Sequence, residues 1–342
     1  MTLCTGQQVE QIPAMLDEFG LSQPDLWLSR GHGGRDLERP AGVPPWLARI
    51  VSTFARRGRE LRARLTSPRE EPLVLIHGDT LTTVVGALLG RILHIPVAHV
   101  EGGMRSGDWR NPFPEELDRL IAARLARTHF APGARAVANL RAMQVRGEIV
   151  DTGANTIGDT IKMVPSTAID LELPQEPFGL ASLHRSELLM RPSVLRATIG
   201  CLREASRSRP ILFVDHPVTA AAIAAHDLDS MFDERLRRIP RQRYFKFIAL
   251  LKASIFLLTD SGGSQQECAQ LGHPCLVHRT VTEHEDGMGG SVVLSHMDLD
   301  VVSAFLRAPE SFARSPRESE HAPTDVIIDH LESRGYLTPT AR

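Results

Sequence analysis

Short apolar runs that each stop at a polar turn, with a helix-length segment before the next run, constrain this chain more than any other feature. Residues 73–77 (LVLIH) run into Gly78-Asp79-Thr80, a helical stretch over 81–93 follows, and residues 95–100 (IPVAHV) form a second apolar run. Strands that are apolar along their whole length and are joined by a crossover helix belong to a parallel sheet covered on both faces. The pattern repeats. A helical stretch over 114–127 leads to THFAP at 128–132, another over 134–143 leads to GEIVDTG at 147–153, and FGLASL, RPILFVDHP at 209–217, SIFLLTDSGG at 254–263 and HPCLVHR at 273–279 supply further strands. The fold class is α/β.

A chain of 342 residues is too long for one core, so two domains are expected. Pro165, Pro174 and Pro177 make 164–178 the linker, because proline interrupts helix and central strand alike. The reading is a first domain over 1–165, a second over 166–320 and a terminal segment over 321–342. In that segment a helix over 324–334 has Val326, Ile327, Ile328 and Leu331 on or near one face and packs back on the first domain. Residues 29–45, rich in Gly, Arg and Pro, read as a mobile surface loop, and 308–324 as another connection.

A formal net charge of −2 offers no broad field for nucleic acid or an anionic membrane, while leaving room for a local basic pocket. The N-terminal residues show no basic segment followed by an apolar one, and no run of about 18 apolar residues occurs, so a cytoplasmic protein is expected. Cys4, Cys201, Cys268 and Cys275 have neither metal-ligand spacing nor the density of a disulfide scaffold; reduced, buried thiols are expected.

Ligands of open parallel sheets bind beyond the carboxyl ends of the strands. Asp79 and Glu101 directly follow two such strands, and neighbouring strands would bring them together. Asp79 also suits a helix N-cap, whereas Glu101, standing before Gly102-Gly103, has no helix start to serve. Glu115 and Glu116 follow Asn111-Pro-Phe-Pro114 at a helix start, where the macrodipole favours acidic groups. Convergence of Asp79, Glu101 and Glu115 would raise at least one pKa by repulsion, keeping an acid and a base available together.

In the second half, Thr259-Asp260-Ser261-Gly262-Gly263 follows a strand and opens a helix, a place where free amides and the helix dipole attract phosphate. Glu267 lies one turn further on, placed for ribose hydroxyls, although Ser264-Gln-Gln-Glu267 also fits a capping box. His184-Arg185 and His216 sit at strand ends, where a histidine serves structure as readily as function. His284-Glu285-Asp286 reads as a solvated loop, and no histidine pair has metal-ligand context, so no metal is expected. With no Gly-x-Gly-x-x-Gly after a strand, a dinucleotide redox cofactor has no support.

Taken together, HGDTLTT at 77–83, HVEGGMRSG at 99–107, PFPEELDR at 112–119, HFAP at 129–132, TGANT at 152–156, HRSE at 184–187 and the long motif at 258–279 resemble bacterial non-hydrolysing UDP-N-acetylglucosamine 2-epimerases, in order and through most of the chain. The resemblance implies two Rossmann-like domains with a cleft between them, as in glycosyltransferase-B folds, and a cytoplasmic homodimer acting on a UDP-sugar without cofactor, nucleic acid or membrane. It implies inversion at carbon 2 to UDP-N-acetylmannosamine by loss and re-addition of UDP through 2-acetamidoglucal. Asp79, Glu101, Glu115 and His184 align with the family's catalytic groups. Ser261, Gly262 and Gly263 fall at its phosphate turn and Glu267 at its ribose contact, with Arg105, Arg185, His216 and Arg279 expected near the diphosphate or sugar.

The chain departs from the family at its start, where a first strand and a basic Gly-Thr-Arg-Pro-Glu motif have no counterpart before LCTGQQ. The family's Gln-His is Gln7-Gln8 here, and its His-Arg-Arg-Glu is His184-Arg185-Ser186-Glu187. Both lie near the regulatory substrate site of bacterial members. Competing readings are a hydrolysing epimerase that releases UDP and N-acetylmannosamine, a glycosyltransferase on the same fold, and a UDP-sugar-binding regulatory homologue.

Overall fold

A computed structural model describes residues 1–31, 34, 36–37, 40–65, 71–107, 113–165, 169–282, 284–316 and 322–338. The chain forms two compact units, residues 1–156 with 321–342 and residues 157–320.

The first unit opens with β1 (Leu3–Cys4), α1 (Gln11–Glu18), β2 (Leu26–Trp27) and α2 (Val43–Leu65). It continues through β3 (Val74–His77), α3 (Leu81–Leu93), β4 (Val97–Val100), α4 (Glu115–Leu125), β5 (Thr128–Ala131), α5 (Ala134–Ala142) and β6 (Glu148–Asp151). Strands β3 to β6 lie in that order in one parallel sheet, and β1 pairs with β2 in a second. Ile76 and Val97 pack with Ala87 of α3 and with Ala122 and Ala126 of and after α4. Ala98, Val100 and Phe130 pack with Ile327 and Leu331. Those last two residues belong to the helix Pro323–Ser333, which therefore completes the unit's own core.

Several of the polar side chains in this interior serve the strand ends. His99, in fully buried β4, donates from Nε2 to the Gly78 carbonyl at 2.8 Å, tying the turn after β3 to the neighbouring strand. Thr80, not Asp79, is the N-cap of α3, and its amide donates to Thr83 Oγ1 at 3.3 Å. The capping explanation for Asp79 is thereby removed. Gln7 Oε1 accepts from the amide and hydroxyl of Thr82 at 3.1 and 2.8 Å, fastening the segment after β1 to the same helix start.

The second unit runs α6 (Ile157–Met163), β7 (Gly179–Ser182), α7 (Ser186–Leu189), α8 (Pro192–Ser206), β8 (Ile211–Asp215), α9 (Pro217–Ala225), β9 (Leu236–Pro240), α10 (Tyr244–Ala253), β10 (Leu257–Thr259), α11 (Gly262–Leu271), β11 (Cys275–Val277), β12 (Val292–Leu294) and α12 (Leu299–Arg307). Its six parallel strands are ordered β12-β11-β10-β7-β8-β9, with a buried apolar cluster including Leu180, Val214 and Leu257 and another including Ala181, Phe213 and Leu258. Successive residues of one strand point to opposite faces, so these alternating pairs mark a sheet buried on both sides.

The division falls between Thr156 and Ile157, ahead of the proline-rich linker, because Ile161 and Val164 are buried in the second unit's core. Residues 166–168 of that linker and 317–321 of the later connection lie outside the described residues. The expected mobile loop over 29–45 is overturned in its described part. Ser29 is buried, Arg49 donates to the Gly31 carbonyl at 2.7 Å, and α2 starts at Val43 with Pro44 and Pro45 in its first turn, where proline costs no hydrogen bond. Trp46 follows fully buried and donates to the Thr5 carbonyl at 3.0 Å.

Gly103, just past β4, has φ +86°, and a Cβ there would come within 2.3 Å of the Ala136 carbonyl oxygen. Gly103→Ala is expected to cost about 3 kcal/mol through backbone strain and the clash combined. Urea unfolding followed by signals from the first unit tests this, and an unchanged midpoint would refute it.

Candidate active site

Glu101 follows the last residue of β4 in the left-handed region, φ 68°. A non-glycine residue there carries roughly 1 kcal/mol or more of strain and stays only where its surroundings hold it. Those surroundings are on hand. The next amide, Gly102, donates to the Phe130 carbonyl of β5 at 3.0 Å, and Asn155, after β6, donates from Nδ2 to Glu101 Oε1 at 2.5 Å. His77 Nε2 lies 3.6 Å from the same oxygen.

Asp79 lies in the turn after β3, and α4 begins at Glu115. Burial raises the Asp79 pKa, Arg119 opposes this, and the charges of Glu101 and Glu115 push it up again, so its carboxyl ends above the usual range. Of the three carboxyl groups singled out from the sequence, Glu101 and Glu115 are thus both close enough to act on Asp79. Arg119 donates from Nη2 to Asp79 Oδ2 and from Nη1 to Glu116 Oε2, the latter at 3.3 Å. Glu116, fully buried, also accepts from Arg105 Nε and from the Ser106 amide at 3.2 Å. Arg105, expected at the diphosphate or sugar, has its Nε on this internal carboxylate and its Nη1 3.2 Å from Met143 Sδ.

The second unit gathers its polar groups at the carboxyl ends of adjacent strands. His184 and Arg185 follow β7, His216 follows β8, Asp260-Ser261 follows β10, and His278-Arg279 follows β11. Asp260, fully buried, accepts from the His184 amide at 3.1 and 2.9 Å and from the Arg185 amide at 2.8 Å, binding the β10 turn to the β7 turn. The His184 and His216 rings stack with centroids 4.5 Å apart. Burial and the cations Arg185 and Arg241 lower His184 to about 4; burial, His184 and Arg241 do the same for His216, against the pull of Asp215. Both rings are neutral near pH 7.

Ser261 is the N-cap of α11, its Oγ accepting from the Ser264 amide at 3.4 Å. This overturns the capping-box reading of Ser264 to Glu267, since Glu267 lies inside the helix. Burial pushes Glu267 to about 8 despite hydrogen bonds to Tyr244 and Ser264. At Gly263 a Cβ would meet only Ser261 Oγ, at 3.9 Å, so packing within the protein does not demand glycine there. Arg279 is buried, with Nε 3.9 Å from Glu187.

His284-Glu285-Asp286 is not the solvated loop that its composition suggests. His284 is buried, and Gln265 of α11 donates to the carbonyls of His284 and Asp286 at 3.0 and 3.2 Å. Among the described residues no three His, Cys, Asp or Glu side chains form a metal-binding group.

The chain matches the family model for UDP-N-acetylglucosamine 2-epimerase over residues 2–321. It belongs to that family. It is 33% identical over 283 residues to the UDP-N-acetylglucosamine 2-epimerase of Bacillus subtilis strain 168, covering 77% of this chain and 73% of the relative. The crystal structure of UDP-GlcNAc 2-epimerase from Neisseria meningitidis bound to UDP-GlcNAc superposes with a TM-score of 0.75 at 24% identity, covering 94% of this chain and 90% of that one. The Methanocaldococcus jannaschii UDP-GlcNAc 2-epimerase, in complex with UDP-GlcNAc and UDP, gives 0.73 at 24% identity, covering 97% and 91%. At such identity the likeness shows the fold, α/β with parallel sheets.

Within this family member, Asp79, Glu101 and Glu115 come together in the first unit, and His184, Arg185, His216, Ser261 and Gly262 share the strand-end face of the second. Sequence reasoning missed Arg119, Asp118, Asn155 and Asp260. Each stood inside a motif already marked, and an acidic residue facing an acidic cluster should have prompted a search for its cation.

Acidification tests the second unit's electrostatics. Unfolded histidines titrate near 6.5, whereas His184, His216, His273 and His278 stay neutral in the fold down to about 4, burial being the first cause in each. Asp260 and Glu267 run the other way, raised by burial from 3.8 to about 6 and from 4.5 to about 8. From about pH 4.5 to 6 the unfolded unit thus binds two more protons (4 − 2), and stability rises with pH by roughly 2 to 3 kcal/mol per unit. Above 6.5 Glu267, alone of these six groups, still separates the states, and stability declines slowly. Hydrogen exchange of β7, β8 and β10 amides between pH 5 and 8 checks this, and greater protection at pH 5 than at 6.5 would contradict it.

Proposed function

We propose that this chain epimerises UDP-N-acetylglucosamine at carbon 2 to UDP-N-acetylmannosamine and releases the UDP-sugar intact. The observation that carries this reading is that Asp79 and Glu101, at the ends of neighbouring strands, lie with Glu115 at the head of α4 so that both glutamates act on Asp79, in a chain that belongs to this family.

The chemistry explains why such a cluster is needed. No carbonyl stands next to carbon 2 to acidify its hydrogen, so direct abstraction is too costly. Elimination avoids the difficulty: the C1–O bond breaks, UDP takes the electron pair, and the carbon 2 proton passes to a carboxylate as the ring double bond forms. A carboxylic acid then delivers a proton to the opposite face of carbon 2, and UDP re-forms its bond to carbon 1. Such a route is redox-neutral. It needs carboxylates beside carbons 1 and 2 to carry protons and to stabilise oxocarbenium character, and fixed donors for the departing diphosphate.

In this reading Asp79, Glu101 and Glu115 of the N-terminal unit serve the sugar ring. The strained backbone of Glu101 supports its role, since strain of that kind collects at functional positions. The C-terminal unit holds UDP: the amides of Gly262 and Gly263, beside the Ser261 N-cap, take a phosphate at the head of α11, and Glu267, protonated at neutral pH, reaches the ribose hydroxyls. His184, Arg185, His216 and Arg279 hold the diphosphate or sugar, with His184 also aligned with the family's functional histidine. Arg105 acts indirectly, through Glu116. The reading carries with it a cytoplasmic homodimer; no described helix is long and apolar enough to cross a membrane.

Incubation with UDP-N-acetylglucosamine in deuterated water, followed by NMR, tests the proposal. Deuterium is expected at carbon 2 of an intact UDP-sugar, and Glu101→Gln is expected to slow its entry by about 10² to 10⁴-fold. Release of UDP with free N-acetylmannosamine would identify a hydrolysing enzyme instead. Absence of both label and UDP, where binding is demonstrated, would end the enzymatic reading.

A further inference from the structure

Asp118 takes no part in the account so far. It stands one helical turn after Glu115 on α4, is 3% exposed, and its Oδ2 has no hydrogen-bond partner among the described residues. Glu115 Oε2 is likewise buried and unpartnered. Residues three apart share a helix face, and both Glu115 and Asp79 lie close enough for their charges to act on Asp118.

Asp79 and Glu115 act on Asp118 directly, and the rest of the charged cluster is linked to it through them. Asp79 comes from the β3 turn, Glu101 and Arg105 from the segment after β4, and Glu115, Glu116 and Arg119 from α4 itself; His77 lies against Glu101. Helix α3, packed on α4, adds only the exposed Arg91. Among the described residues, the guanidinium groups of Arg105 and Arg119 are engaged by Glu116 and Asp79, and neither bonds Asp118. A buried carboxylate with neither cation nor hydrogen bond is too costly to keep ionised.

We propose that Asp118 is a positioning residue for the epimerisation: it holds a proton in the active enzyme and, acting through Asp79 and Glu115, leaves those groups free to work on an anionic substrate. The proposal rests on the functional reading above. As a neutral carboxyl, Asp118 can donate to a neighbouring carboxylate and adds no charge against a diphosphate. Once ionised, it withdraws that donor and sets an unpaired negative charge beside the sugar site. Burial, Asp79 and Glu115 raise its pKa to about 7, which places the change within the working range.

The decisive experiment compares wild type with Asp118→Asn, whose amide donates but never ionises. In wild type, kcat/KM is expected to fall through a one-proton limb above about pH 7, roughly 30-fold by about pH 8.5. In Asp118→Asn the limb near pH 7 is expected to vanish, leaving only a later fall near pH 8 from Glu267, whatever the height of the plateau. The same limb in the variant would overturn the proposal, because a merely structural role moves the plateau and not the shape. A second arm needs no activity: NMR of carboxyl-labelled aspartate should show a group titrating near neutrality in wild type and missing from the variant. If label exchange fails in both proteins while that resonance behaves as stated, the epimerase reading fails and the proton-holding role stands. If every aspartate but Asp260 titrates well below neutrality, the role itself is wrong. Should Asn at 118 prevent folding, Asp118→Leu carries both arms.

Discussion

Glu116 is a carboxyl group with no access to water, and two arginines bond to it. Breaking such a buried group from its cation costs about 3 to 5 kcal/mol, so Arg105 and Arg119 are fixed in place by a side chain that never meets solvent. That constraint organises the first unit's polar face. Arg119 extends its other nitrogen to Asp79, so the turn after β3, the segment after β4 and the head of α4 are set by one ion network. What remains is an excess of carboxyl groups, with Asp79 raised and Asp118 near neutrality. An excess of acid over cation is what lets one protein offer a proton donor and a proton acceptor at the same pH.

The second unit meets a different requirement with a different device. Asp260 spends its hydrogen bonds on the backbone of the neighbouring turn, setting His184 and Arg185 beside the head of α11. The stacked, neutral His184 and His216 add no fixed charge to that surface, and the open space at Gly263 leaves the helix head approachable. Geometry suited to an anion thus comes from strand order alone: β7 pairs with both β8 and β10, and every group named follows one of these strands or β11.

Much of this was legible in the residues. LVLIH and IPVAHV declared parallel strands because nothing in them wanted water, and the residues after them were the ones that mattered. β9, Leu236–Pro240, was not legible, since Arg237 and Arg238 break its apolar pattern; at the sheet edge Arg238 instead pairs with Asp215 and Asp229. α2 was hidden by Pro44 and Pro45, which read as loop and stand at a helix start. Burial explains the other failures. His284 and Glu116 have polar side chains with ordinary surface meanings, and only the tertiary fold shows Gln265 bonding the His284 carbonyl and two arginines bonding the Glu116 carboxyl group.

The central claim is that the carboxylate cluster serves a reaction in which the C1–O bond breaks and re-forms. Positional isotope exchange tests it without relying on the fate of the carbon 2 hydrogen. UDP-N-acetylglucosamine carrying heavy oxygen only in the bridge between carbon 1 and the β-phosphate would be incubated with the protein and recovered. Scrambling of the label into the non-bridging β-phosphate positions of recovered UDP-sugar is predicted. Epimerised UDP-sugar that keeps all of its label in the bridge, after many turnovers, would contradict the account.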